Sequence, residues 1–497
     1  MLNPNQLFNK LYKHTWDTIV MRTLKKSLLP LAVASVLVTP LAVQAEGFGT
    51  ISANAALTTD YYFRGISQTD NDGAIQGGVD WAHDSGVYAG VWASNVDFGD
   101  THLEVDTYIG FANDIGDSGF GYDVNILRYN YNDADFETNE YTIALSYSYF
   151  NVAYKYSDDW FDTGESSNYV SLGFDYDLPQ NFALSLSVGS SFGDAYDRDK
   201  VGSTKDFDYV DYKVGISKDY YGLNWDLSYV GNDLSNSECD AYGYNGNKGN
   251  CDDRVILTVS KSIDDVSKSS EGSDLPITSN IAMVTDYYFR GISQTGNDGA
   301  VQGGFDYSHE SGVYAGVWAS NVDFGDTHLE VDTYVGFAND IGGSGFGYDV
   351  NVLRYNYNDA DFETNEYTFG LSYSYFNVAY KYSDDWYDSG DSSNYVSLGF
   401  DYDELPMGLA LSASVGKSYG DAFDDKNDAR ENITANEAKD FDYVDYKIGV
   451  SKDFVGVNFD LSYVGNDLSN KECDAYAYDS HAGNCDDRVI LTISKGF

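Results

Sequence analysis

The chain has 497 residues, with 79 acidic against 29 basic side chains and a formal net charge of −50. A field of that sign repels nucleic acid and anionic head groups at long range, so a nucleic-acid partner is excluded. Acidity on this scale also accompanies disorder, but 45 Tyr, 27 Phe and 7 Trp beside 6 Pro describe a chain that folds.

The N-terminus reads as an export signal. Arg22, Lys25 and Lys26 precede an apolar run from Leu28 to about Val43, and Val43-Gln44-Ala45 supplies a cleavage site after Ala45. Translation starts at Met1 or at Met21, and residues 1–45 form an extension and signal peptide. Pro30 and Pro40 interrupt the run, which is short for a membrane anchor. No later stretch is long and apolar enough for a membrane helix, so the exported chain either stays beyond the inner membrane or crosses a membrane as strands.

The next element alternates with period two. Ile51, Ala53, Ala55, Leu57, Thr59, Tyr61 and Phe63 interleave with Ser52, Asn54, Ala56, Thr58, Asp60, Tyr62 and Arg64. Such alternation makes one apolar and one polar face. It predicts a strand that runs on through "DYYFR", with Tyr61 and Phe63 outward as interface aromatics. Asp60, Tyr62 and Arg64 then point inward, and Gly65 releases the chain into a loop. The pattern recurs in Leu103–Phe111, where Glu104, Asp106 and Tyr108 occupy the polar face, and over 141–147, 182–188 and 223–229.

About twelve such strands fit before residue 263. Their connections alternate in length. "HDSG", "YFN" and "LPQ" are short, whereas "NDADFETN", "SDDWFDTGESSN" and the segment holding Cys239 and Cys251 are long; "NVDFGD" is an exception. Long loops at one end, short turns at the other and an even strand number mark an outer-membrane barrel. Closure then pairs every backbone group, and aromatic girdles sit at both interfaces.

A flexible seam, "IDDVSKSSEGSDLP", follows at 263–276, and then the whole unit repeats. Asp60 corresponds to Asp286, Cys239 to Cys473, and an insertion in "DDKNDARENITANEAKD" marks a loop of the second copy. The fold class expected is all-β: two tandem transmembrane antiparallel barrels, 46–262 and 277–497, with one barrel of about 24 strands as the alternative. Cys239 with Cys251, and Cys473 with Cys485, read as two disulfides inside exported loops, against a metal site that lacks further ligands at zinc spacing. At the C-terminus Val489, Leu491, Ile493 and Phe497 share a face, and the final Phe497 resembles the signal read by the barrel-assembly machinery.

The export signal, the opening "TTDYYFRGISQT", the aromatic-rich strands and the terminal Phe together resemble the TorF-type porin family of proteobacterial outer-membrane proteins. The resemblance covers nearly the full length of each repeat; carrying two units is a departure from it. It implies a barrel in the Gram-negative outer membrane, surrounded by lipid and passing small solutes.

Parity assigns Asp60, Asp80, Glu104, Asp106, Asp123 and Asp226 to the inner face of the first unit, opposed by Arg64, Lys155 and Lys213. Their second-unit counterparts include Asp286, Arg290, Asp306, Glu330 and Asp332. A net-acidic lumen favours cations, and inward Tyr62, Tyr88, Trp92 and Tyr108 narrow it further. Arg64 and Arg290 are expected as lone cations at each mouth. A non-conducting structural or adhesive barrel is the alternative function. A lipid-modifying enzyme is a further one, resting on His102 and His328 near the strand ends without a nucleophile motif. No cofactor is expected. Acidic clusters such as "NDADFETN" and "SDDWFD" are candidates for Ca²⁺ or Mg²⁺ that lack EF-hand spacing. Sequence leaves the oligomeric state open.

Overall fold

The computed structural model describes residues 49–98, 101–132, 137–196, 207–242, 248–263, 277–325, 327–358, 363–423, 441–470, 472–473 and 482–497. The expected signal peptide, the seam beyond Ile263 and the insertion at 424–440 lie outside them.

The first unit runs β1 Thr50–Thr58, β2 Tyr62–Phe63, β3 Ile66–Ser67, β4 Ala74–Ala82, β5 Val87–Phe98, β6 Thr101–Asp114, β7 Phe120–Tyr131, β8 Thr138–Tyr147, β9 Phe150–Ser157, β10 Ser167–Leu178, β11 Phe182–Phe192, β12 Tyr209–Tyr220, β13 Leu223–Asn232 and β14 Arg254–Ile263. Leaving aside β2 and β3, these are twelve antiparallel strands in sequential order, and β1 closes the sheet by pairing with both β4 and β14. The second unit closes in the same way: Ile277–Val284 pairs with Ala300–Ser308 on one side and Arg488–Gly496 on the other. Phe497 and Ser279 exchange backbone hydrogen bonds of 2.7 and 2.8 Å at that closure. The alternative of a single 24-stranded barrel is therefore overturned. Closure needs each first strand to meet its own last strand, and both do so.

Each barrel is inverted relative to a soluble core. Ile109, Ile126, Ile143, Leu145, Val214 and Leu227 are exposed on the outer face. Glu104 and Glu140 are among the largest fully buried side chains, inside. Exposed aromatics ring the short-turn end: Phe120 stacks on Tyr147 at 4.4 Å, and Tyr149 meets Tyr176 at 5.0 Å. At the long-loop end, Tyr212 and Tyr229 both donate to Asp253 on the outer face. Among the described residues no helix is long and apolar enough to cross a membrane.

The first strand departs from expectation. It stops at Thr58, and the chain turns inward as the hairpin β2–β3 instead of continuing outward. Tyr61 is consequently buried rather than a girdle residue, edge-on to Trp92 at 5.5 Å. Parity fails here because Thr58 Oγ1 donates to the Asp60 carbonyl and Asp60 accepts from Ser67 and Thr69, which commits the backbone to a turn. Because each barrel closes independently, a chain truncated after Ile263 should still give a compact, heat-modifiable band on a gel; loss of heat modifiability would show that the second unit is needed for closure.

Candidate functional site

The hairpin is built on two residues with positive φ, Arg64 at 47° and Gly65 at 78°. This is the geometry of a two-residue type I′ turn, which twists with its strands. Gly65 is obligatory: a Cβ there would lie 2.6 Å from the Gly231 carbonyl oxygen and 3.0 Å from Asn232 Cβ. Arg64 has no such licence and bears the left-handed strain that a non-glycine residue meets.

The turn delivers the Arg64 guanidinium into a buried pocket. It forms an ion pair with Glu140 of β8, both side chains being almost fully buried. Its carbon lies 4.1 Å from the ring centre of Tyr169, 4.8 Å from Phe63 and 4.9 Å from Trp160. Cation–π attraction of this kind grows as water is removed. Glu140 also contacts Lys155 Nζ at 3.2 Å and accepts from the Tyr129 hydroxyl at 3.2 Å. Tyr169 lies flat on the wall because β11 offers Gly189 beneath it, where a Cβ would come 2.1 Å from the hydroxyl. Trp160 comes from the turn after β9, which Asp159 caps by accepting from Gly164 N–H at 2.8 Å.

The hairpin has a second anchor at the long-loop end. The Tyr62 hydroxyl donates to the Asp252 carbonyl at 2.7 Å, and Ile66 packs with Tyr196, Phe207, Tyr209 and the disulfide Cys239–Cys251. Cys473–Cys485 forms the equivalent bridge in the second unit. Each bond spans 12 residues of sequence and fixes the loop against which the hairpin rests.

Several of the remaining acids meet neutral donors. Tyr108 donates to Asp80, Tyr88 to Asp123 at 2.8 Å, Tyr169 to Asp211 at 3.2 Å, and Tyr61 approaches Glu104 at 3.5 Å. Asp106 is buried beside Glu104, and Lys213 lies 3.6 Å from Asp226. The second barrel reproduces the arrangement. Arg290 pairs with Glu366, Tyr334 donates to Asp306, Tyr287 to Glu330 at 3.4 Å, and Asp332 is buried beside Glu330. Lys381 lies 3.0 Å from Glu366 but is more exposed than Lys155.

Arg64 and Arg290 are thus not the lone cations expected at the mouths. Each is matched by a glutamate, with a lysine alongside. Glu140, Tyr129, Tyr169 and Trp160 were missed as partners. The first three were accessible from strand parity, because β7, β8 and β10 carry Tyr129, Glu140 and Tyr169 on the same face as Lys155; Trp160 reaches the pocket through loop geometry that no periodicity encodes. Among the described residues, no group of three or more His, Cys, Asp or Glu side chains is disposed to hold a metal ion.

Asp60 sits outside the barrel strands, under the hairpin. Burial pushes its carboxyl up to about 6, opposed by hydrogen bonds from Ser67 and Thr69 and by the Arg254 guanidinium. Asp286 is likewise pushed to about 6 by burial. A raised carboxyl favours the protonated fold. The stabilisation is complete below the ordinary value of 3.8 and is lost as pH rises through about 6.

The profile of a family described as "Bacterial protein of unknown function (Gcw_chp)" matches residues 42–263 and again 268–497. No curated relative matches the chain. Among solved structures, the P pilus usher (PapC) translocation pore aligns over 90% of this chain and 99% of its own at 8% identity, with a TM-score of 0.33. OccD3 (OpdP) of Pseudomonas aeruginosa aligns over 90% and 91% at 11% identity, with a TM-score of 0.27. OccAB4 of Acinetobacter baumannii aligns over 90% and 98% at 11% identity, with a TM-score of 0.28.

Two outcomes follow. Asp60→Asn with Asp286→Asn should flatten the fall in thermal stability between pH 4 and pH 7 relative to the parent, as read by the gel-shift temperature; an unchanged slope would remove these carboxyls from the hairpin's energetics. Glu140→Gln should destabilise the first barrel more than Arg64→Gln, by up to about 3–5 kcal/mol. The former leaves two buried cations together, the latter leaves a lysine–glutamate pair. Equal losses, measured by denaturant unfolding, would refute that asymmetry.

Proposed function

The chain belongs to the Gcw_chp family of bacterial proteins of unknown function, and we propose from its geometry that each barrel is a narrow outer-membrane channel for small solutes that prefers cations. The observation that carries this reading is the inverted barrel, with an apolar belt outside and an uncancelled acidic lining inside. Tyrosine hydroxyls solvate Asp80, Asp123 and Asp211 without neutralising them. A fixed negative field in a confined lumen raises the local concentration of cations. Along β10 to β13, toward the short turns, several inward positions hold small side chains: Gly173 faces Ser187, and Ser185 faces Gly215, which in turn faces Ser228. The buried hairpin adds side chains at the long-loop end that these positions lack, which narrows the passage there.

The same reading places the protein in the Gram-negative outer membrane, exported by residues 1–45 and folded with the barrel-assembly machinery through Phe497. It agrees with the resemblance to TorF-type porins and assigns neither catalytic residues nor a cofactor. A second reading, a non-conducting structural or adhesive barrel, is favoured by one observation: the buried hairpin and its ion pair occupy the long-loop half of the lumen.

Reconstitution in planar bilayers under a salt gradient separates the two. A channel of this kind gives discrete conductance with a cation-favouring reversal potential. Replacing Tyr62–Ser67 and Tyr288–Ser293 each by two glycines should raise conductance severalfold. Absence of channels from both proteins would leave the structural barrel standing.

A further inference from the structure

The pocket that holds Arg64 is only partly made by the hairpin that inserts it. Phe63 belongs to the hairpin, but Tyr129, Glu140, Lys155 and Tyr169 belong to the barrel wall and Trp160 to the loop above β9. Withdrawing Arg64 therefore leaves most of the pocket in place. It also leaves Glu140 compensated, because Lys155 stays at 3.2 Å and the Tyr129 hydroxyl at 3.2 Å. A carboxylate left alone at this depth would oppose withdrawal; this one is not left alone. Arg64 moreover enters from a strained left-handed position, at φ 47°, so backbone strain offsets part of what it gains in the pocket.

Aromatic faces around a cation, closed by a buried carboxylate, recognise a planar guanidinium better than an ammonium. The guanidinium stacks flat on the rings while one nitrogen reaches Glu140 Oε2, the other carboxylate oxygen being held by Lys155 and Tyr129, whereas a lysine-like head is a compact, strongly hydrated point charge. The second barrel holds the same chemistry, with Arg290 at 4.1 Å from Tyr395, 4.8 Å from Phe289 and 5.1 Å from Trp386, against Glu366.

We propose that this pocket is a binding site for guanidinium-bearing solutes, occupied in the present conformation by the hairpin's own arginine as a tethered competitor. Its position on a solute path rests on the channel reading above; its ability to bind does not. A solute with a guanidinium head displaces Arg64 and takes its place between Trp160, Tyr169 and Glu140.

The test is calorimetric titration of the full chain in detergent. Arg64→Gly with Arg290→Gly vacates both pockets and relieves the positive-φ strain. This variant should bind methylguanidinium saturably, roughly tenfold tighter than methylammonium, and the parent should bind it at least about tenfold more weakly than the variant. Adding Glu140→Gln and Glu366→Gln should abolish the signal. If the glycine variant does not fold, Arg64→Lys with Arg290→Lys keeps the charge and must show methylguanidinium competing out the lysine. No saturable binding in a folded, heat-modifiable variant overturns the site, as does equal affinity for methylammonium. Binding without conductance in bilayers would sink the channel reading and leave the site; conductance without binding would sink the site alone.

Discussion

A sheet that closes on itself has no edge and only two faces, and every other property of this molecule depends on that closure. Once β1 pairs with both β4 and β14, each side chain is either inside or outside, and no later adjustment exchanges the two. The lumen then has to accommodate whatever the inward positions carry. Here they carry acids, tyrosines and a few bases, while isoleucine, leucine and valine populate the exterior. The large negative charge of the sequence is tolerable because much of it lies in long loops. The part that lies inside is held by hydroxyl donors and by a few arginines and lysines.

Closure explains why so much of the fold was legible from sequence. Alternation is imposed on every strand by the same geometry, so the runs around Glu104, Tyr141 and Leu223 could be assigned individually, and their turns followed from what lay between. The cysteine pairs were legible for a different reason: two cysteines a dozen residues apart in one long loop leave few alternatives, and the bridges Cys239–Cys251 and Cys473–Cys485 form. Alternation alone does not choose between two barrels and one; the long seam between complete units favours two, and two close. The pairing of first strand with last strand distinguishes them.

The hairpin marks the limit of that legibility. Thr59, Tyr61 and Phe63 continue the alternation of β1, so periodicity alone extends the strand through them. What ends it is a set of side chain contacts around Asp60 together with an Arg-Gly turn that lacks the usual Asn or Asp in first position. The strain of a left-handed arginine is invisible in sequence because its compensation lies elsewhere, in Glu140, Tyr169 and Trp160. A local rule is broken at Arg64 and repaired by residues 76 to 105 positions away. That is the pattern expected of a functional position rather than of a scaffold corner.

The tyrosines carry the same lesson about composition. An excess of tyrosine suggests interface girdles, and Tyr147, Tyr149 and Tyr220 do lie exposed at the short-turn end. Yet Tyr88, Tyr108, Tyr129 and Tyr169 serve inside, each donating to a carboxylate. A base opposite Asp80, Asp123 or Asp211 would cancel the acid's charge, as Arg64 and Lys155 already do for Glu140. A serine would be too short to span the lumen. Tyrosine reaches across the interior and satisfies the carboxylate without adding a positive charge. The same side chains thereby fill part of each interior, and the pocket where an arginine meets a glutamate and aromatic rings, at Arg64 and again at Arg290, is chemically distinct from the rest of it.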